Sequence, residues 1–216
     1  MKPEYLALLP ADKRLIVSAG APRSGSTALF NIVRLLLEQE GGALTTGWIH
    51  DLADPLGATV LVKVHRWEPA LAKRANITLT CHRDLREVAR SLARVGRLRN
   101  GPEIFDQFGE IVYRHLQWKA NAAIDVSYEN ITNNLSATVM AIARLLGINK
   151  DLVDSDAIAK QIYEITPPVT LPERQPHDLK TLLHKNHRSR HPAPPIDIEK
   201  DIHHRFAAWQ TLHGYD

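Results

Sequence analysis

The sequence predicts an α/β fold of three layers (α/β/α), with a central parallel sheet of about four to five strands. Short β-rich apolar segments alternate along the chain with segments of helical periodicity, the order that produces parallel sheets covered by helices. The chain has 216 residues, 44% of them hydrophobic and 24% charged, which is sufficient for one α/β domain with a real core. A turn with two glycines joins the first predicted strand directly to the first predicted helix.

The individual elements follow from local composition and periodicity. Strands are predicted where β-branched and apolar residues form short runs: Arg14–Ala19, Thr59–Val64, 77–81 and 123–128. Helices are predicted where apolar residues recur every three to four positions: Ser26–Glu40, 84–95, 103–120, 136–146, 151–163 and 198–212. Asp84 stands at an N-cap position with Glu87 three residues later, while Gly41 and Gly147 stand where helices end.

Charge, hydropathy and cysteine content exclude several classes of protein. The net charge of +3 and the pI near 9.0 fit an anionic ligand, but no dense Lys/Arg stripe is present, so we predict no nucleic-acid partner. No apolar run approaches the roughly 20 residues that a membrane helix needs, and the first residues lack the apolar core of a signal peptide. We therefore predict a cytoplasmic protein with no membrane span. Cys81, the one cysteine, is interpreted as a buried structural residue.

The turn after the first strand contains the most specific motif. It reads Gly20-Ala21-Pro22-Arg23-Ser24-Gly25-Ser26-Thr27. The spacing of Gly20 and Gly25 nearly matches the G-x-x-x-x-G-K-[ST] loop of the P-loop NTPases, with Ser26 in place of the lysine. Glycines let successive backbone N–H groups converge on one anion at the positive N-terminus of the next helix. The segment is therefore predicted to bind a phosphate group in a P-loop NTPase-like fold.

The missing lysine bears on which phosphate compound binds there. That lysine reaches the terminal phosphates of ATP, so a loop without it is a poor site for ATP hydrolysis. Arg23 supplies a guanidinium instead, which is suited to bidentate contact with a phosphate or sulfate. With these residues, segment 22–27 resembles the 5′-phosphosulfate loop, P-[KR]-S-G-[ST]-[ST], of the sulfotransferases that use 3′-phosphoadenosine 5′-phosphosulfate (PAPS).

Three further segments resemble that family, in the same order along the chain. They are Lys63-Val64-His65, the pair Arg83 and Ser91 at a spacing of eight, and Tyr128-Glu129. The resemblance covers residues 14–147 well and the remainder poorly. We therefore predict one sulfotransferase-like domain over 1–216, with the cofactor-binding core at 14–147.

Lys63 and His65 are also notable without the resemblance. Alternation along a strand places both side chains on the same face, about 7 Å apart. A lysine in an otherwise apolar strand is costly to bury without a partner. An anion at this position would resolve the conflict.

The resemblance implies a sulfotransferase that uses PAPS, releases 3′,5′-ADP (PAP) and needs no metal ion. It assigns cofactor binding to residues of the loop and of later segments: Arg23, Ser24, Gly25, Ser26, Thr27, Arg83, Ser91 and Tyr128, with Lys185 and Arg188 as the nearest equivalents of a late basic loop. Arg83 and Ser91 are implied to hold the 3′-phosphate, and Tyr128 to contact the adenine. The implied catalytic residues are His65 as general base, with Lys63 and Arg23 neutralising charge on the sulfuryl group.

Two other functions fit the same loop: a P-loop kinase or NTPase of small molecules, and a non-catalytic nucleotide-binding module. The first predicts Mg²⁺-dependent ATP binding, and the second needs neither His65 nor Lys63. The expected acceptor is a hydroxyl or amine of a small molecule or carbohydrate, with candidate walls at 43–58, 97–110 and 166–195. The last segment holds more than half of the 13 prolines and is predicted to be a lid or substrate loop.

Overall fold

Five strands form one parallel sheet in the computed structural model, which describes residues 9–52, 54–171, 177–184 and 196–215. The strands are β1 (Arg14–Ala19), β2 (Leu44–Trp48), β3 (Thr59–Val64), β4 (Ile77–His82) and β5 (Ile124–Ser127). Their order across the sheet is β2-β3-β1-β4-β5, and each neighbouring pair is parallel.

Helices cover both faces of the sheet. They are α1 (Ser26–Glu40), α2 (Pro69–Arg74), α3 (Leu85–Arg94), α4 (Glu103–Lys119), α5 (Tyr128–Asn133), α6 (Leu135–Leu146), α7 (Ser155–Glu164), α8 (Glu199–Arg205) and α9 (Ala207–Leu212), with a 3-10 helix at Lys150–Leu152. Within the described part of the chain, none of them combines the length and the apolar character needed to cross a membrane.

Alternation along the strands divides the apolar core between the two faces of the sheet. Ile16 of β1 lies in a cluster with residues of α1, α6 and α7. Its neighbours Leu15 and Val17 lie in a second cluster, which includes Leu71 of α2 and Trp118 of α4. Successive side chains of a strand point to opposite faces, so β1 contributes to both clusters. The result is the three-layer α/β/α arrangement with a parallel sheet, and the predicted fold class is confirmed.

Several elements differ from their predicted form. Strand β2 was not predicted, because its sequence Leu-Thr-Thr-Gly-Trp has few apolar residues and contains a glycine. The strand predicted at 123–128 ends at Ser127, whose side chain accepts a hydrogen bond from the N–H of Asn130 at 3.1 Å and so begins α5. The helix predicted at 198–212 is divided into α8 and α9 at Phe206.

The carboxyl ends of the strands meet at one edge of the sheet, which is where parallel α/β sheets bind their ligands. The central strand β1 leads into the loop at 20–25. His65 follows β3, Arg83 follows β4, and Tyr128 follows β5. Residues that are far apart in the sequence therefore converge around the loop.

Candidate active site

The loop between β1 and α1 has the curled backbone of an anion-binding site. Arg23 and Gly25 adopt left-handed conformations, with φ of 70° and 93°, which turn successive N–H groups toward one point. Gly25 is the N-cap of α1 and has no capping side chain, so the first N–H groups of the helix are left for a ligand. A Cβ at Gly25 would lie 2.8 Å from Cδ2 of Tyr128, so this close approach requires glycine.

Cys81 lies against the same loop. Its Sγ is 3.2 Å from Oγ of Ser24, and the residue is fully buried. Burial raises the pKa of the Cys81 thiol to about 12. The cysteine is therefore an uncharged packing residue under the loop, as the sequence predicts.

Lys63 brings an ammonium group into the loop from β3. Its side chain is buried and donates a hydrogen bond to Oγ1 of Thr27, while Nζ lies 4.8 Å from the centre of the Trp48 ring. Burial lowers the pKa of Lys63 to about 7; Cys81 opposes the shift, and the charge of Arg23 adds to it. Since an anion beside Thr27 would raise this pKa again, Lys63 supplies the charge that position 26 lacks.

His65 turns its ring back toward the loop. Its Nδ1 lies 2.6 Å from the carbonyl oxygen of Gly20, and because a carbonyl only accepts, Nδ1 carries the proton and donates it. Burial, and then the charge of Lys63, lower the pKa of His65 to about 3. The ring is therefore neutral at physiological pH, with the lone pair on Nε2. This is the form in which a histidine accepts a proton.

A second group of cations lies beside the loop. Nε of Arg23 donates to Oγ of Ser91 at 2.8 Å, and Nη2 of Arg94 donates to the same oxygen at 3.4 Å. Burial, and then the charges of Arg94, Arg83 and Arg97, lower the pKa of Arg23. Two guanidinium groups that donate to one hydroxyl, with the charges of Arg83 and Arg97 nearby, are suited to binding an anion.

Arg83 completes this second site from the end of β4. Its guanidinium carbon lies 4.0 Å from the centre of the Tyr128 ring, and Nη2 pairs with Glu87 at 3.2 Å. Nε of Arg83 is buried and has no hydrogen-bond partner among the described residues. A buried donor without a partner is costly, so this N–H fits a ligand acceptor such as a phosphate oxygen.

The structure thus gathers the predicted site residues into two neighbouring groups. The first consists of Ser24, Gly25, Ser26, Thr27, Lys63 and His65, and the second of Arg23, Arg83, Ser91 and Tyr128. The resemblance assigns Arg23 to the first group, as a residue that binds the cofactor and neutralises charge on the sulfuryl group. In the structure Arg23 is hydrogen-bonded to Ser91 in the second group, and its charge also acts on Lys63 in the first. Lys185 and Arg188 lie outside the described residues.

A cavity of about 660 Å³ opens beside Lys63 and His65. Residues from all three candidate wall segments contribute to its lining, among them Trp48, Arg97 and His184. Arg66 also lines the cavity and was not singled out from the sequence, because nothing in the local pattern after β3 distinguishes it. The ring of Trp48 packs against the ring of His65, with 4.9 Å between the two ring centres.

A polar cluster that the sequence does not predict joins β4, α4, β5 and the region after α9. It consists of His82, His115, Asp125 and His213, whose candidate ligand atoms all lie within 4.8 Å of one another, and we call it the Asp125 cluster. Oδ1 of Asp125 lies 2.9 Å from Nδ1 of His82 and 3.1 Å from Nε2 of His115. Imidazole and carboxylate groups in such a set are chemically suited to zinc.

The hydrogen bonds of the Asp125 cluster favour a protein network over a metal. The indole N–H of Trp209 donates to Nδ1 of His115 at 3.2 Å, which leaves the proton of His115 on Nε2, where a metal needs a lone pair. Nζ of Lys119 lies 2.9 Å from Nε2 of His213 and 3.4 Å from Oδ2 of Asp125. The ammonium group therefore supplies the positive charge that a metal ion would otherwise provide. Burial alone would raise the pKa of Asp125. Hydrogen bonds from the histidines instead hold this pKa far below its usual range.

Comparison with known proteins gives a distant likeness. No protein-family model and no curated protein matches the chain. It resembles the crystal structure of retinol dehydratase in a complex with retinol and PAP, with a TM-score of 0.46 and 17% identity over 75% of this chain and 69% of that one. It also resembles retinol dehydratase in complex with androsterone and inactive cofactor PAP, with a TM-score of 0.47 and 15% identity over 71% of this chain and 65% of that one. At these values the likeness carries no functional argument.

Proposed function

We propose that this protein is a PAPS-dependent sulfotransferase that transfers a sulfuryl group to a hydroxyl or amine of a small molecule or carbohydrate. The observation that supports the proposal is the pair of anion sites at one edge of the sheet. Lys63 beside Thr27 belongs to the first, and Arg23, Arg83 and Ser91 belong to the second. A nucleotide with charged groups at both its 5′ and 3′ positions needs two such sites, whereas the polyphosphate chain of ATP needs one.

The residues of the second site are suited to the 3′-phosphate and the adenine. In the proposal, the buried Nε of Arg83 and the hydroxyl of Ser91 donate to the 3′-phosphate. Tyr128 offers an aromatic ring beside this site, and aromatic faces stack with nucleobases. The proposal thereby gives a partner to the orphaned Arg83 donor.

The residues of the first site are suited to the transfer step. When bound, PAPS supplies the sulfuryl group, whose bond to the 5′-phosphate oxygen breaks, with the electron pair left on that oxygen, as the acceptor oxygen or nitrogen bonds to sulfur. His65 accepts the acceptor's proton at Nε2, and its Nδ1 hydrogen bond to Gly20 holds the ring in place. Lys63 provides positive charge beside Thr27, where charge builds up on the leaving oxygen. Positioning and charge stabilisation supply most of the rate, and the general base adds about 10²–10⁴-fold.

The hydrogen-bond partner of Thr27 argues against a P-loop kinase or NTPase. In P-loop NTPases the Ser/Thr at this place of the loop holds Mg²⁺. Here the ammonium of Lys63 donates to that hydroxyl, and a divalent cation at the same oxygen would be repelled by it. A non-catalytic nucleotide-binding module does not need a proton acceptor, and the buried, neutral His65 would have no role in it.

Ligand binding tests the proposal directly. We expect 3′,5′-ADP to raise the unfolding temperature at concentrations at which ATP with Mg²⁺ does not, because a ligand of the folded state stabilises it. Arg83→Ala should weaken 3′,5′-ADP binding about tenfold and 5′-AMP binding less than about threefold in calorimetry, because only 3′,5′-ADP has a charged group for Arg83 to bind.

Arg144→Ala is the control for this experiment, since it removes an exposed arginine of α6 and should change neither affinity. Stabilisation by ATP with Mg²⁺ and none by 3′,5′-ADP would refute the proposal in favour of a kinase. Equal losses for both ligands in Arg83→Ala would remove Arg83 from the 3′-phosphate site.

A further inference from the structure

The turn at residues 178–183 is held in shape by its own hydrogen bonds. The N–H of Asp178 donates to the carbonyl of Leu183, and the N–H of Leu182 donates to the carbonyl of Asp178, both at 2.8 Å. Oδ1 of Asp178 accepts from the N–H and the hydroxyl of Thr181, at 2.6 and 2.7 Å. The residue that follows the turn, His184, lines the cavity beside Lys63 and His65.

The same turn is fastened to the helix of the phosphate loop. Nδ2 of Asn31, buried in α1, donates to the carbonyl of Thr181 and to the carbonyl of Thr27, each at 2.8 Å. Leu182 is buried and has a φ of 56°, a left-handed conformation that a non-glycine residue keeps only where its surroundings hold it. The position of the turn relative to Thr27 is therefore well determined.

His184 lies where positive charges from both anion sites act together. Burial lowers the pKa of His184, and the charges of Arg23, Arg97 and Lys63 lower it further. Arg23 belongs to the second anion site and Lys63 to the first. An anion that enters among these cations would raise the pKa of His184 again, and a protonated ring has a second N–H that can donate to the anion.

We propose that His184 is a further binding residue for the sulfuryl end of the donor, held in position by the turn at 178–183. The assignment to the sulfuryl end follows from the cavity that His184 shares with Lys63 and His65. The inference rests on the proposed function. It places the contact one residue before Lys185, which the sequence resemblance gives as part of a late basic loop.

Two ligands that differ by one group test this inference without turnover. PAPS and 3′,5′-ADP share every group except the sulfuryl, so their dissociation constants in the absence of acceptor isolate its contacts. We expect His184→Ala to weaken PAPS binding about tenfold and 3′,5′-ADP binding less than about twofold, the effect of losing one hydrogen bond to a charged group. His184→Gln, whose amide can still donate, should recover part of the loss. His50→Ala, another histidine of the same cavity, is the matched control and should leave both affinities within about twofold.

The outcomes separate the two proposals. A wild-type protein that binds neither ligand would refute the proposed function. Wild-type binding of both ligands, with equal losses or no loss in His184→Ala, would overturn the role of His184 and leave the proposed function standing. Should His184→Ala fail to fold, NMR of the wild type gives the same answer: the pKa of His184 should rise more with PAPS than with 3′,5′-ADP, and equal rises would overturn the inference.

Discussion

The candidate active site and the Asp125 cluster use the same kinds of side chain in opposite electrostatic situations. In the cluster, the ammonium of Lys119 and three imidazoles surround one carboxylate, so the negative charge has partners within the protein. At the active site, Lys63 is buried against Thr27, and no described carboxylate pairs with it. The cluster is complete as folded, whereas on the proposed function the site becomes complete when an anion binds.

On the proposed function, this difference separates residues that stabilise the fold from residues that would bind a ligand. The pKa of Asp125 lies far below its usual range, so its charged form stabilises the folded state. The pKa of Lys63 is lowered to about 7, so below pH 7 its charged form costs stability, and the cost is relieved as the pH rises toward the unfolded pKa. Burial without a counter-charge is therefore the better indicator of a binding site.

The largest expected effect is on the rate of the proposed reaction. His65→Ala removes the Nε2 base and should lower PAPS-dependent sulfuryl transfer about 10²–10⁴-fold, with 3′,5′-ADP affinity within about twofold of the wild type. The rate is measured as release of 3′,5′-ADP from PAPS in the presence of phenol and sugar acceptors. Near-normal turnover in His65→Ala would show that another group takes the proton. His65 would then not be the general base.

A smaller effect, on stability, is expected in the Asp125 cluster. Asp125→Asn leaves Lys119 and the histidine N–H groups without their anion and should lower the free energy of unfolding by about 3 kcal/mol at pH 7, measured by urea denaturation. The folded pKa is depressed, so the carboxylate stabilises above its unfolded pKa of about 4, and this contribution is lost as the pH falls through the folded pKa. The difference between variant and wild type should therefore narrow below pH 4.

Asp201→Asn is the control for this substitution, because it removes an exposed carboxylate of α8 and should leave stability nearly unchanged. A loss of stability in Asp125→Asn no larger than in this control would show that the cluster does not stabilise the fold. Zinc bound by the purified wild type at one ion per chain would contradict the protein network and assign the cluster to a metal.

The smallest effect is a change in bound protons at the active site. Lys63 is largely neutral at pH 8, and a bound anion raises its pKa, so binding of 3′,5′-ADP should take up less than about one proton per site. The affinity should accordingly fall as the pH rises above 7. Calorimetry in two buffers of different ionisation enthalpy measures the uptake, and Lys63→Met should abolish it. If the wild-type protein takes up no proton when 3′,5′-ADP binds, Lys63 does not lie beside the bound anion.

The sequence predicts the region around the phosphate loop most completely, because local chemistry decides the structure there. β1, the two glycines and α1 follow one another along the chain, and each has its own local signal. β2 has no comparable signal, since its strand conformation depends on pairing with β3. Its absence from the prediction also hid the position of Trp48 against Lys63 and His65.

Residues that only the fold brings together could not be predicted in the same way. Members of the Asp125 cluster come from β4, α4, β5 and the region after α9, and no spacing in the sequence connects them. His184 enters the site through a turn whose anchor, Asn31, lies in α1. The single domain over 1–216, the cytoplasmic location and the lack of a nucleic-acid partner or a metal stay predictions from the sequence.

The contacts that the segment after α9 makes with β5 and α5 have a consequence for the order of events during synthesis. The hydroxyl of Tyr215 donates to Glu129 at 2.7 Å across 86 positions of the chain, and His213 reaches Asp125 across a similar interval. At ribosomal speeds this interval takes roughly 4 to 20 seconds. During that time Asp125 lacks His213 and Glu129 lacks Tyr215. The contacts of residues 213 and 215 therefore form only after the loop at 20–25 has been synthesised.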